Sequence, residues 1–380
     1  MSNTSASFWQ RLGYRVAIWA DSVALAGIGQ LIVDIYQIAV STNWKSPPLN
    51  WNFPFQEFYR EQQDILWVYG PSNEHVFLPQ VVLLSPTSNL TEDDISLVLL
   101  AEEFKASLLV VEALDYYRYN ADGSEKKWFF DGENARLVDW ELEMKRLVFQ
   151  NCSYFHYLQT NLAMDYPLRV FGSLRSFLHS DRKLEPLIES KLANTTGINS
   201  LVFSNDGYMI FQKRGNNVLI RPGELCSGFS GTIDLIDIQH AMGHGARLSS
   251  LDVLREMVEE LGLRRREILR RRFLGITREL IRGGTPEMFY AIDVNVSAKE
   301  ILSRIPKDKE GQVKSIFLGS YATSLLDVDK DLSPKQFWQI VEAINVEGGG
   351  PVSIPLLTNL VLWYQQTYPQ YTGQSQLNPW

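Results

Sequence analysis

The chain has 380 residues, 45% of them hydrophobic and 21% charged, which is the balance of a globular protein with a large core and excludes a disordered or fibrous chain. A formal charge of −8 argues against nucleic acid as a partner, because a surface that tracks phosphates needs an excess of Lys and Arg. Only two cysteines occur, Cys152 and Cys226, so there is neither a disulfide framework nor zinc-ligand spacing, and a reducing, cytoplasmic location is expected.

Near the N-terminus, Val16 to Val40 is rich in apolar residues but is interrupted by Asp21, Gln30 and Asp34. No run reaches the ~18 uncharged residues that a spanning helix requires, so a long, mostly buried helix is expected, with interfacial attachment as the alternative. A signal peptide is not expected, because the basic-then-apolar layout and a small-residue cleavage site are missing. Residues 45–75, rich in Pro, Asn and aromatics without a period, read as a structured connection. A strand over Val76 to Leu84, a helix over Asp93 to Phe104 and a strand over Ser107 to Ala113 then make a βαβ-like unit. That unit has no glycine pattern for cradling phosphate. The polar turn from Asn120 to Lys127 closes it and marks a candidate boundary.

Ser153 to Asn161 reads as a helix with Phe155 and Leu158 in the core, while Tyr154, Thr160 and Asn161 carry polar tips suited to a base or sugar. Residues 196–214 read as a hairpin turning at Asn205, Asp206 and Gly207, with Lys213 and Arg214 at its far end. By themselves those two cations read as solvated strand-end charges. His240 and His244 lack the Glu of a zinc-protease helix and are set among glycines, so no zinc site is expected.

The stretch Arg255 to Leu263 carries the strongest chemistry. On a helix Glu256, Glu259 and Glu260 fall at i, i+3 and i+4, so three like charges share one face and repel. A hard divalent cation such as Mg²⁺ removes that penalty by taking their oxygens. Leu254, Val258 and Leu261 form the expected apolar stripe, Ser249 and Asp252 the start signal, and Gly262 the left-handed cap. The bland reading is a solvated acidic face. Arginines at 264–266 and 270–272, interrupted by Glu267, read as a solvated connection to the next strand. Phe273 to Leu280 and Met288 to Val294 read as strands joined through Gly283 and Gly284. On them Arg278 and Glu287 are either a cross-strand salt bridge or a phosphate ligand and a helper of metal or water. A strand at Val313 to Leu318 and helices over Pro334 to Ala343 and Ile354 to Tyr368 complete the chain.

Arg255 to Leu263 resembles the second half of a Nudix box, Gly-x5-Glu-x7-Arg-Glu-apolar-x-Glu-Glu-x-Gly-apolar, at every specified position. The first half departs from the pattern, because strict spacing places Ala241 for Gly and Arg247 for the upstream Glu. Gly231 with Asp234 is the nearest substitute and splits the box with a longer loop. Ser153 to Asn161, Ala135 to Trp140 and the order of parts from Arg221 through Gly231 resemble, more narrowly, the Nudix hydrolases that cleave UDP-glucose and UDP-galactose. The resemblance covers roughly the last two thirds of the chain and implies a Nudix α/β/α sandwich over residues 191–370 with an extension over 131–190; the α/β pattern of residues 1–130 adds an N-terminal region of unassigned role, so the expected fold class is α+β. The resemblance further implies Mg²⁺, with Mn²⁺ as the alternative, held by Glu256, Glu259 and Glu260, with Arg255 orienting these catalytic carboxylates. Lys213, Arg214, Tyr154, Thr160, Asn161, Arg278 and Glu287 become the implied substrate residues. The reaction implied is hydrolysis of a small-molecule nucleoside diphosphate, a UDP-sugar foremost, to a nucleoside monophosphate and a sugar phosphate. Arg247 at the strict box position motivates the alternative, a catalytically inactive Nudix-fold module that binds or senses a nucleotide.

Overall fold

The structure is a computed structural model that describes residues 49–72, 74–85, 90–107, 109–119, 129–168, 172–215, 218, 220–304, 311–318 and 332–369. The expected helix over 16–40 and the turn over 120–127 lie outside these residues. Fourteen strands are described: β1 (Ile65–Tyr69), β2 (His75–Leu84), β3 (Ser96–Leu99), β4 (Glu133–Glu141), β5 (Arg146–Ser153), β6 (Pro167–Leu168), β7 (Gly172–Ser173), β8 (Gly197–Phe203), β9 (Tyr208–Arg214), β10 (Leu225–Cys226), β11 (Phe229–Thr232), β12 (Ile268–Glu279), β13 (Thr285–Val294) and β14 (Gly311–Phe317). Helices of six or more residues are α1 (Val111–Arg118), α2 (Tyr154–Gln159), α3 (Leu235–Gly243), α4 (Arg255–Leu261), α5 (Ala298–Ser303), α6 (Pro334–Gly348) and α7 (Ile354–Thr367).

Nine strands form one mixed sheet in the order β1-β2-β12-β13-β8-β9-β10, with β11 on β8 and β14 on β9. All its pairings are antiparallel except β8 with β13. Every residue of β13 is buried, which is why its sequence runs nearly without polar alternation. On one face Leu201, Phe203, Phe211, Phe289 and Ala291 pack against Phe337, Ile340 and Ile344 of α6 and Leu356 and Leu360 of α7. On the other, Ile198, Val202, Ile210, Tyr290 and Ile292 meet Ile238 and Ala241 of α3, Met257 and Leu261 of α4, and the three-stranded sheet β3-β5-β4. The alternation of neighbours along β8 and β13 thus splits the core into two layers around one sheet, and the fold is α+β.

Two expectations in the first third fail. The helix over 93–104 is a single turn of 3-10 helix, Glu92–Asp94, capped by Thr91 and followed by β3. Ser96 to Leu99 pairs in parallel with β5, and that non-local ladder overrides the helical spacing. In place of the strand expected over 107–113, residues 111–113 begin α1, whose Ala113 and Tyr117 bury four residues apart beside α2. Short apolar runs fit either period until a neighbour chooses. β1 and β2 also extend the main sheet, through β2 on β12. Strands from residues 65–84 and from residues 197–317 therefore share one hydrogen-bonded ladder. The hairpin over 196–214 forms as expected, as does the pair of C-terminal helices, with Ser333 and Gln336 making a capping box at the start of α6.

Candidate active site

The site grows from β11 and the two helices that follow it. β11 ends at Thr232, and Asp234 caps α3 through a capping box with Asp237. After residues 244–254 the chain enters α4, which Leu254 rather than Ser249 or Asp252 precedes, and which Gly262 ends in the left-handed region at φ 62°. Met257 and Leu261, with Leu254 before them, make its buried stripe, whereas Val258 is 38% exposed. Leu254 and Leu261 are buried as expected, but Met257 takes the place expected of Val258, because α4 meets the core at its Met257 side.

One cation organises four carboxylates. Arg255 Nη2 lies 2.8 Å from Asp234 Oδ2, 3.2 Å from Asp237 Oδ2 and 3.1 Å from Glu256 Oε1, and Nη1 lies 3.6 Å from Glu259 Oε2. Burial opposes the guanidinium charge, but Asp237 and the other carboxylates outweigh it and hold the Arg255 pKa above its ordinary value. Arg255 therefore joins the start of α3 to the start of α4.

That pairing exposes a residue the sequence reading missed. Asp237 follows Gly231 with five residues between them, so Gly-x5-acid is intact with Asp in place of Glu. The interruption lies wholly after it, where residues 238–254 stand in place of seven. The signal was present in the sequence, but it is visible only when the second gap is allowed to grow. The inserted residues have their own seat: Leu97 N donates to Ala246 O and Leu248 N to Ile95 O, each at 2.9 Å, and Ser249 Oγ donates to Asp93. Arg247 is bridged to Ser96 in that edge. The arginine that strict spacing puts in the box is carried onto β3 instead.

The three carboxylates of α4 have different surroundings. Glu256 packs over Gly231, where a Cβ would lie 2.5 Å from Glu256 Cδ, so a side chain at 231 would push the Glu256 carboxylate out of this position. Burial pushes its pKa up to about 7, with Arg255 opposing and Glu259 and the aspartates adding to the rise. Glu260 Oε2 accepts from Gln212 Nε2 at 2.6 Å and from Ser230 N at 3.3 Å. Glu259 is half exposed and reaches towards Arg255. Among the described residues no three Asp, Glu, His or Cys side chains are gathered around one point as metal ligands. The donor set nevertheless suits a hard divalent cation, being all oxygen and including one carboxylate, Glu256, whose charge burial destabilises.

Of the expected substrate residues, Arg214 shares the face of β9 with Gln212, and it and Glu260 both act on the buried Cys226, whose thiol burial pushes up to about 11. The other expected residues have these surroundings. Lys213 projects to the opposite face, where its Nζ donates to Gly349 O at 2.6 Å, because adjacent strand residues alternate. Thr160 and Asn161 are fully buried: Thr160 Oγ1 donates to His156 O, and Asn161 bridges Asn194 and the Arg282 carbonyl. Tyr154 packs its ring towards Tyr157 in the cluster around α2. Arg278 is spent on Gly284 O and Glu185 O, and burial lowers its pKa to about 10. Glu287 is buried against Arg282, which also holds Glu279, itself paired with Arg221. These residues hold the β12-β13 turn to the extension rather than line an opening. His240 and His244 stack on each other at 4.1 Å, outside any metal cluster among the described residues.

No family model matches the chain, and no curated protein matches it. Among solved structures it is similar to DR0079 from Deinococcus radiodurans, at 12% identity and a TM-score of 0.28, over 44% of this chain and 82% of that one. It is similar to a bifunctional NMN adenylyltransferase/ADP ribose pyrophosphatase from Francisella tularensis, solved with AMP and a Mn ion, at 16% identity and a TM-score of 0.24. That overlap covers 41% of this chain and 42% of the other, less than half of the Francisella protein. The Nudix hydrolase RenU from M. smegmatis is similar at 13% identity and a TM-score of 0.21, over 40% of this chain and 84% of that one.

Proposed function

We propose that the protein is a Nudix-type hydrolase of a phosphoric anhydride bond. The substrate class is a nucleoside diphosphate linked to a second group, with a UDP-sugar favoured by the resemblance of residues 135–161. The observation that supports the reading is Arg255 held between Asp237 and the α4 carboxylates while Glu256 rests on Gly231, which gathers the second half of the box with a glycine and an acidic residue at the spacing of its first half. Glu256, Glu259 and Glu260 would hold Mg²⁺ or Mn²⁺, which when bound neutralises diphosphate charge and acidifies an attacking water. Arg255 would keep α4 in register with α3, and Arg214, on the same face of β9 as Gln212, would be the cation that meets phosphoryl oxygens. The base that takes the water's proton is not assigned.

Incubating the protein with a panel of UDP-sugars, ADP-ribose and dinucleoside polyphosphates, with and without Mg²⁺, tests this by mass spectrometry. The expected result is Mg²⁺-dependent appearance of a nucleoside monophosphate with the matching phosphorylated fragment. Intact substrates throughout overturn the hydrolase, and retention of one nucleotide without turnover would favour a binding module. Placement of Arg247 on β3 removes the feature that motivated that second reading.

A further inference from the structure

Gln212 stands outside the box and among none of the residues that the sequence reading assigned to the site, yet it makes a tight polar contact with the carboxylate helix. It is 7% exposed and lies on β9, hydrogen-bonded on both sides, with Cys226 of β10 as one partner and Val313 of β14 as the other. Its two amide hydrogens have two acceptors. Gln212 Nε2 donates to Gly228 O at 2.9 Å and to Glu260 Oε2 at 2.6 Å. Ser230 N, two residues beyond Gly228, donates to the same Glu260 oxygen. The carboxamide thus ties the loop before β11 to the last turn of α4, and the Ser230 N–H adds the strand β11 through the same Glu260 oxygen.

We infer that Gln212 is the positioning residue of this site, fixing the Glu260 carboxylate for a divalent cation; the inference rests on the metal-dependent reading proposed above. Helix α4 has only seven residues, too few to hold its own orientation. Met257 and Leu261 seat it on the core, but apolar contacts leave rotation about the helix axis loosely set. Arg255 holds the first turn and Gln212 holds the last. The geometry favours Gln over its neighbours in chemistry. Asn is shorter by one methylene and cannot span Gly228 O and Glu260 together, Glu would set a second charge against Glu260, and Met fills the volume without donating. A hydrogen bond to a carboxylate is among the stronger ones, and a ligand held before the cation arrives loses less freedom on binding.

The test reads Mn²⁺ uptake by electron paramagnetic resonance in the full chain, for wild type, Gln212→Met, Glu260→Gln and the double variant, with circular dichroism to establish folding. The expected result is Mn²⁺ affinity weakened about tenfold or more in Gln212→Met, and no further loss on adding Gln212→Met to Glu260→Gln. A residue that merely supports the fold would lower the affinity equally in both backgrounds, and that result overturns the inference. So does unchanged affinity in Gln212→Met. Should Gln212→Met fail to fold, Gln212→Asn, which keeps an amide but not the reach, carries the same comparison. Wild-type protein that takes up no Mn²⁺ overturns the metal-dependent reading itself, and this inference with it.

Discussion

Glu256 sets the pH behaviour expected of the site. Its pKa of about 7 in the fold exceeds the ordinary 4.5, so between these values the folded protein binds a proton that the unfolded chain has released. Stability from this group is therefore present in full below about 4.5 and is lost as pH rises to about 7; the shift bounds it at about 3 kcal/mol. Glu256→Gln removes the titration. Without metal, its melting temperature should exceed that of wild type at pH 8 and match it near pH 4.5, as read by calorimetry at the two pH values. Mg²⁺ should close the gap at pH 8 by stabilising wild type alone, and turnover of the variant should fall ~10²-fold or more, as when an electrostatic contact to a transferring phosphoryl is removed. Equal melting temperatures at pH 8 would show that Glu256 is not destabilised in the fold. Glu260 differs: its oxygen already accepts two N–H groups, so relief of repulsion is not expected from Glu260→Gln.

At the scale of elements, the junction of β11, α3 and α4 depends on a glycine and one ion pair. Gly231→Ala brings a methyl into the space of the Glu256 carboxylate, which must move off the strand. Because the displaced group lies at the surface end of the core, the expected melting temperature falls little while Mg²⁺-dependent turnover falls by ~10-fold or more. Asp237→Asn leaves the capping geometry of α3 but halves the charge that faces Arg255 from that helix. The expected outcome is a loss of ~1–2 kcal/mol in denaturant unfolding, largely abolished in an Arg255→Gln background, since the two share one interaction. Additive losses would place the role of Asp237 in capping alone. The inserted residues after Asp237 are tolerated because their backbone is paid for elsewhere, by pairing with β3.

Across the whole molecule, the buried set Arg221, Glu279, Arg282 and Glu287 joins the β9-β10 connection to the β12-β13 turn, and Tyr157 of α2 accepts from Arg282 at 2.8 Å. Burial raises the Glu287 pKa and the two arginines lower that of Glu279, although burial works against it. Glu279 is thus the charged centre. Glu279→Gln leaves two buried guanidinium groups short of charge and should destabilise by ~3–5 kcal/mol in urea unfolding. Glu287→Gln should cost less and leave Mg²⁺-dependent kcat and KM within about twofold of wild type at a temperature where both are folded, since a purely structural site lacks transition-state contact. A large kcat loss in Glu287→Gln would return it to the reaction.

The sequence by itself determined the carboxylate helix with its left-handed cap, the hairpin at Asn205 to Gly207, the long β12-β13 pair and the two terminal helices. Each is written in residues a few positions apart: three-and-four spacing, turn glycines, capping boxes and alternating or continuous apolar runs. Tertiary structure alone decided that Asp237 is the partner of Arg255, that Gln212 meets Glu260, and that Lys213, Thr160, Asn161, Arg278 and Glu287 face away from the site or into the core. Those outcomes turn on which face of a strand points at which helix and on how an insertion finds a seat on a distant edge. A one-residue shift in strand parity moves a side chain to the other side of the sheet, and the pairing that fixes it with β3, β8 or β14 joins residues up to a hundred or more positions apart. The same reason explains why 92–99 became a turn and a strand: parallel pairing with β5 satisfies its backbone, and no signal within those residues names that partner.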